Sequence, residues 1–388
     1  MLRHLAATGL NLLIVALIVL AGLIGWGAKT FHDPGPLEVP AVVEIPRGAG
    51  LEAISRRLAE AGAIRHPAIF RIGVRYLGVG DRLRFGVYEI PAGASMRDIV
   101  ALLEAGGADA RWRMVFAIGQ RGVTVRITDM LSREAAPLGG PLEDAGTAAA
   151  IERVIGSDSS VEFRVTVPEG LTAWQVVEGL NRVPFLEGEL TEIPAEGSLA
   201  PDTFAFRRGA RRQALLDEMA RAQARILAEA WEKRRADVPL ASPQEALILA
   251  SIVEKETALP EERPIVASVF INRLRRGMRL ETDPTIIYGI LRGRGTFDRE
   301  ITVSDRNGVT ERRLHGAVLY NTYQIDGLPP TPIANPGRAS IEAVVNPAET
   351  RFLFFVADGS GGHAFAETLA EHQANVARWR RLRSERSD

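Results

Sequence analysis

The sequence predicts an α+β chain: an N-terminal transmembrane helix, a small α/β module, then a mixed α/β domain around a buried helix. Three stretches carry that prediction. From Leu5 to Ala28 no residue is charged, and Leu, Ile, Val, Ala and Gly dominate; about 20 apolar residues in a helix span a bilayer. Between Val42 and Gly107, strand-like and helix-like runs alternate over a short length, as they do in a compact α/β module. The third stretch is Ser242 to Thr257, SPQEALILASIVEKET. Ser242 is a helix cap, Pro243 suits the first helical position, and Glu245 stands three residues after the cap, so a helix begins here. Ala246 to Val253 then leave almost no polar face, which makes the helix a buried one.

The 388 residues suffice for two or three domains with a sizeable core. A net charge of −1 points to no nucleic-acid partner. The basic stretches Arg111 to Arg126 and Arg378 to Arg386 read as solvated surface. There is no cysteine, which excludes disulfides, thiolate catalysis and Cys-ligated zinc. None of the six histidines shows His-x-x-x-His spacing, so neither a metal nor a cofactor is expected. Gly293-Arg294-Gly295 is too short for a phosphate loop. Asp358 to His363 reads as a glycine turn, since a serine nucleophile motif would need Gly two before Ser360.

Residues 1–29 form the cytoplasmic tip and anchor. Arg3 precedes the apolar run, and positive charge tends to stay cytoplasmic, so the rest of the chain is expected on the far side of the membrane. A cleaved signal peptide, cut near Gly25-Trp26-Gly27, is the rival reading. Signal cores run about 7–15 residues, and the longer run here favours an uncleaved single-pass anchor.

Residues 30–40 are rich in proline and polar residues and read as a linker. In the module 41–107, strands are expected at Val42 to Pro46 and Phe85 to Pro91, with helices at Leu51 to Ala61, His66 to Leu77 and Met96 to Leu103. Residues 108–160 are an insertion that the patterns do not assign well. Two strands fit Met114 to Ile127, a loop Pro137 to Gly146, and a short helix Ala148 to Ile155. The domain 161–388 opens on Val161 to Val177, which echoes the strand–turn–helix pattern of Val43 to Leu58. Helices are expected at Arg211 to Asp237, Pro264 to Leu274, Ser340 to Val345 and Thr368 to Leu382, and another with Asp283 as its cap. A hairpin is expected around Asn307-Gly308. A stiff proline-rich loop spans Tyr320 to Gly337, and a strand spans Phe352 to Ala357.

Within this frame the chemistry left is that of carboxylates. Glu254 breaks the apolar run of the buried helix and shares its face with Ser251, Ala250 and Leu247. Loss of solvation there should raise its pKa, as a general acid requires. The plainer reading, that Glu254-Lys255-Glu256 is the solvated last turn of a core helix, stays open. Tyr320, Asn321, Thr322, Tyr323 and Gln324 offer ring faces and amides, the mixture a sugar presents; equally, Tyr320 and Tyr323 could pin the loop to the core. A two-carboxylate glycosidase needs a partner for the acid. Asp283 and Glu256 are candidates by type, but Glu256 projects about 200° round the helix from Glu254.

ASIVEKET (250–257), ASVFINRLRRGMRLETDPTIIYG (267–289), YNTYQIDGLPPTPIANPG (320–337) and FFVADGSGGHAF (354–365) resemble the endolytic murein transglycosylases of the YceG-like family. EGSLAPDTF (196–204) resembles a further family motif. The likeness is dense from about Val161 to Arg380. It is weaker over Val42 to Gly107, which is similar to the family's LysM-like module. The resemblance implies lytic cleavage of the β-1,4 bond between N-acetylmuramic acid and N-acetylglucosamine in nascent peptidoglycan strands, leaving 1,6-anhydromuramic ends and limiting strand length beside the cell-wall synthases. It places the catalytic glutamate at Glu254, acting first as acid and then as base, with no second carboxylate needed. Substrate contacts are expected from Glu196, Asn272, Asp283, Tyr320, Asn321, Thr322 and Tyr323. Two departures stand out. Asp109 to Asp158 is longer than the family's usual connection, and Ser198 and Ala200 stand where the family often has aromatics. A non-enzymatic peptidoglycan-binding scaffold and an ordinary hydrolase are the alternatives.

Overall fold

The computed structural model describes residues 2–132, 137–156, 160–308 and 317–385. Its contacts divide the chain into two units: residues 1–114, 127–138 and 148–162, and residues 115–126, 139–147 and 163–388. The elements run α1 (Leu2–His32), β1 (Ala41–Ile45), α2 (Leu51–Glu60), α3 (Pro67–Tyr76), β2 (Gly86–Ile90), α4 (Met96–Ala105), β3 (Trp112–Ile118), β4 (Val123–Asp129), β5 (Leu138–Pro141), α5 (Ala145–Gly156) and β6 (Val161–Thr166). They continue with α6 (Ala173–Arg182), β7 (Leu186–Glu187), β8 (Thr203–Phe206), β9 (Ala210–Arg211), α7 (Arg212–Glu232), α8 (Pro243–Glu256), α9 (Arg263–Arg275), α10 (Asp283–Leu291) and α11 (Val303–Arg306). The last are α12 (Arg338–Val345), β10 (Phe354–Ala357), β11 (His363–Ala366) and α13 (Leu369–Glu385).

α1 holds a stretch of 23 residues, Leu10–His32, whose most apolar 18-residue window has a mean hydropathy of 2.4, long and apolar enough to cross a membrane. The helix does not stop at Ala28. It runs on through Thr30, and Phe31 is buried in the core of the first unit. Its ring lies where a Cβ on Gly73 of α3 would be, so the expected linker begins only after His32. In this unit β1 and β2 pair antiparallel, Ala41 opposite Ile90 and Ile45 opposite Gly86. Ile54, Leu58, Phe70, Val74, Ile99 and Leu103 pack the three helices together. Ser95 begins α4 with the reciprocal Ser–Asp98 cap that satisfies two free N–H groups.

The largest sheet has strand order β5-β4-β3-β6-β8. The stretch expected as a loop at 137–146 therefore contains an edge strand. β6 and β8 are antiparallel, Phe163 opposite Phe206. In the second unit Phe163 also meets Phe185, at 5.0 Å between ring centres.

α8 is the centre of the second unit's core. Ser242 Oγ accepts from the Glu245 N–H at 3.2 Å, and Glu245 in turn accepts from the Ala241 N–H at 2.7 Å. Every residue from Ala246 to Val253 is buried, packed against α7, α9 and α12. Each fully buried Leu or Ile contributes on the order of 2 kcal/mol by removal from water. The helix ends at Thr257, whose backbone is extended and whose hydroxyl donates to Glu262 at 3.0 Å. α7 ends at Glu232, short of the expected Asp237. The expected hairpin at Asn307-Gly308 does not form its first arm: Thr302 caps the one-turn helix α11, with Asp305 completing the box. Its second arm lies outside the described residues.

Candidate active site

The last turn of α8 carries two carboxyls to different surroundings, as residues two apart on a helix must. Glu254 is enclosed, with 5% of its side chain exposed. One oxygen accepts from the Gly337 N–H at 2.9 Å, and the other lies 3.6 Å from the Arg263 guanidinium. Arg263 also donates to Glu169 at 3.1 Å. Burial and the neighbouring charge of Glu254 push the Glu169 carboxyl above its usual range, with Arg263 opposing them. Glu254 is thus clamped among protein groups.

Glu256 opens on a cavity of about 680 Å³, lined also by Thr282, Asp283, Arg306, Tyr323, Phe354 and Trp379. The residue is partly exposed, but its carboxyl is surrounded by protein, and that desolvation pushes it up to about 7. Thr282 donates a hydrogen bond to it and His363 pulls the pKa back down, while the charge of Asp283 raises it. A carboxyl half protonated near neutral pH, at an open cleft, can give up a proton and take one back.

The wall facing it is built from α10 and the loop before it. Glu281 sits in the left-handed region at φ 52°, a conformation uncommon for a side chain of this kind. It is held by the Arg273 guanidinium at 3.0 Å and by its own N–H donating to the Thr322 carbonyl at 3.2 Å. This turn brings Thr282 to Glu256. Asp283, expected as the cap of α10, lies inside the first turn; Thr282 is the cap residue. Asp283 instead accepts two bonds from Arg306, at 3.1 and 2.8 Å, and one from the Tyr323 hydroxyl at 2.9 Å. Burial, then Asp283, push the Tyr323 hydroxyl well above its usual range.

Of the expected site residues, Asp283 and Tyr323 line the Glu256 cavity. Tyr320, Asn321 and Thr322 are buried and hold the loop together. Thr322 accepts from the Thr282 N–H at 2.9 Å, Asn321 donates to the Asp305 carbonyl at 2.9 Å, and the Tyr320 hydroxyl bonds Thr331 at 2.8 Å. Glu196 lies elsewhere, accepting from the Ala173 N–H at 2.7 Å and the Tyr288 hydroxyl at 3.1 Å. Burial pushes its carboxyl up to about 7. Asn272 borders a separate cavity of about 500 Å³, and its amide donates to the Thr350 and Phe352 carbonyls, both at 3.0 Å. Nothing in the sequence pattern marks Thr282, Arg306 or His363, and helix geometry turns Glu256 away from Glu254. A signal for Glu256 was present. Three, four and seven residues before it stand Val253, Ile252 and Leu249, a wholly apolar face, whereas Glu254 shares its face with Ser251.

The last turn of α8 thus sets a carboxyl of raised pKa at the edge of an open cavity. The chain belongs to the YceG-like family, whose sequence profile matches residues 43–137 and 141–378. Among curated proteins it is similar to the endolytic murein transglycosylase of Streptococcus pneumoniae strain D39, 28% identical over 338 residues, which cover 86% of this chain and 57% of that one. It is also similar to the endolytic murein transglycosylase of Bacillus subtilis strain 168, 25% identical over 334 residues, covering 85% of this chain and 82% of the relative. The chain thus spans about 57% of the length of the pneumococcal relative it matches. Among solved structures, a YceG-like protein of Listeria monocytogenes aligns with a TM-score of 0.44 and 24% identity, over 86% of this chain and 98% of that one.

Proposed function

We propose that this protein is a membrane-anchored endolytic transglycosylase of peptidoglycan. It cleaves the β-1,4 bond between N-acetylmuramic acid and N-acetylglucosamine in nascent strands, leaves 1,6-anhydromuramic ends, and so limits strand length. The family membership and the relatives' name support the substrate class. The observation that carries the chemistry is Glu256, raised to about 7 by burial at the edge of a large cleft. Its carboxyl donates a proton to the glycosidic oxygen as the bond to C1 breaks. The muramic C6 oxygen closes on C1, and its proton passes to the carboxylate, which returns the acid to its starting state. No water enters, and one carboxyl serves both steps. Thr282 orients that carboxyl, and burial, with the charge of Asp283 adding to it, favours the protonated form.

This reading moves the acid from Glu254 to Glu256. The rival assignment keeps it at Glu254, where Glu169 supplies a second carboxylate. In either case α1 serves as a single-pass plasma-membrane anchor with its N-terminus cytoplasmic. The small module acts as a LysM-like glycan holder, and the site works in the periplasm beside the cell-wall synthases. The test is product analysis by mass spectrometry on uncrosslinked glycan. Glu256→Gln should lose about 10²-fold or more in kcat, while Glu254→Gln should keep measurable turnover. The reverse ranking returns the acid to Glu254. Products heavier by one water would make the protein a hydrolase, and sacculus binding without new ends would make it a scaffold.

A further inference from the structure

We infer that the glycan also occupies a second cavity on the other side of Glu256, so that the acid stands where two subsites meet. The inference rests on the function proposed above. The second cavity, of about 250 Å³, is lined by Gln120, Thr172, Lys255, Pro284, Tyr288 and Phe297 among others. None of these is among the residues expected to touch substrate. It adjoins the Glu256 cavity at two places along the chain. Lys255 is followed by Glu256 at the end of α8, and Asp283 is followed by Pro284 at the start of α10. Neighbouring Cα atoms are about 3.8 Å apart, so the same two helix ends wall both spaces. A strand cut in its interior must continue past the bond in both directions, so binding space is needed on both sides of the acid.

The lining has the chemistry for a sugar. Tyr288 and Phe297 contribute aromatic rings, while Gln120, Thr172 and Lys255 are hydrogen-bonding groups around them. The frame is tied down before any ligand arrives. Thr172 Oγ donates to the Gly293 carbonyl at 2.6 Å, and Gln175 donates to the Gly295 carbonyl at 3.3 Å. These bonds fasten the loop that carries Phe297 to the start of α6. Arg292 makes the turn into that loop in the left-handed region, φ 52°. Glu196 joins the same frame from behind, accepting from Ala173 of α6 and from Tyr288. This gives Glu196 a role in holding the ring of Tyr288 in place rather than in touching the reacting atoms. A preformed recess with few polar groups and ring faces is the usual form of a small-ligand subsite.

The test uses the full-length protein in detergent on uncrosslinked glycan strands, with Phe297→Ala, Phe297→Trp and Gln120→Ala. Phe297→Ala should raise KM about five- to tenfold, the loss expected for one stacked ring. Its kcat should stay within about twofold, the sign of lost ground-state binding. Phe297→Trp, which keeps a ring, should stay near the parental KM. In the Glu256→Gln background, Phe297→Ala should weaken glycan binding by the same factor. Unchanged KM in both Phe297→Ala and Gln120→Ala, or a fall in kcat at constant KM, overturns the subsite. Failure of the function itself looks different: either Glu256→Gln turns over normally, or the parental protein makes no anhydro ends.

Discussion

Glu254 and Glu256 stand two residues apart with the same side chain, and their surroundings separate them. Glu254 meets a guanidinium and a backbone N–H, whereas Glu256 meets a hydroxyl, a nearby aspartate and an open cleft. The groups that act on Glu256 come from three elements: Thr282 and Asp283 from α10 and its cap, His363 from β11, and α8 itself. Asp283 is the one whose charge raises the acid. Asp283→Asn removes that charge, so the Glu256 pKa should fall and the protonated form should be lost at lower pH. The alkaline limb of kcat/KM against pH should therefore move down. An unmoved limb, or one displaced upward, would show that Asp283 does not set the acid.

At the scale of elements, the end of α8 is held by a corner where four segments meet. Arg263 at the start of α9 pairs with Glu254 of α8 and with Glu169, and Glu254 accepts from Gly337, which precedes α12. Gly337 fits there because it has no side chain; a Cβ would lie 1.7 Å from a Glu169 oxygen. Gly337→Ala must swing that flexible, part-exposed carboxylate away from Arg263, which costs little, and should destabilise the fold by no more than about 1 kcal/mol. Urea unfolding measures it, and a clearly larger loss would show that the corner does not yield. The proline-rich loop is stitched in beside it. The Ile333 N–H donates to Ser251 of α8 at 3.0 Å, and Asn335 bonds Leu171 and Leu199.

At the scale of the molecule, among the described residues, Glu169 is raised, and Glu196 and Glu256 are raised from 4.5 to about 7. The folded state therefore binds more protons than the unfolded chain between those values. Their favourable effect on stability is complete below about pH 4.5 and is lost as pH rises through about 7. Each can cost the folded state up to about 3 kcal/mol at higher pH. Asp98 and Glu262, both lowered, act with the opposite sign. Replacing Glu256 by Gln removes one raised carboxyl, so its melting temperature relative to the parent should climb between about pH 5 and about pH 8. A difference that stays flat across that interval would mean Glu256 ionises as an ordinary surface glutamate. Thermal unfolding of the full chain in detergent reads it.

Much of this protein is legible residue by residue along the chain, because local rules act over a few positions. The apolar run of α1, the cap and apolar body of α8, and the strand and helix starts of the small module all follow from period and capping. Those rules failed where distant segments decide. Phe31 extends α1 because α3 offers it a buried seat, and Asp305 turns the expected hairpin arm into a helical turn. For the site, periodicity could say that Glu254 and Glu256 face apart, but not which faces a cleft. Arg263, Thr282, Asp283 and His363 come from other elements, and only the packing of α9, α10 and β11 around α8 brings them to the two carboxyls. The sequence by itself determined the helix and its acidic end. The tertiary structure decided which of the two acids is desolvated beside an open cavity, since charge and burial act through space.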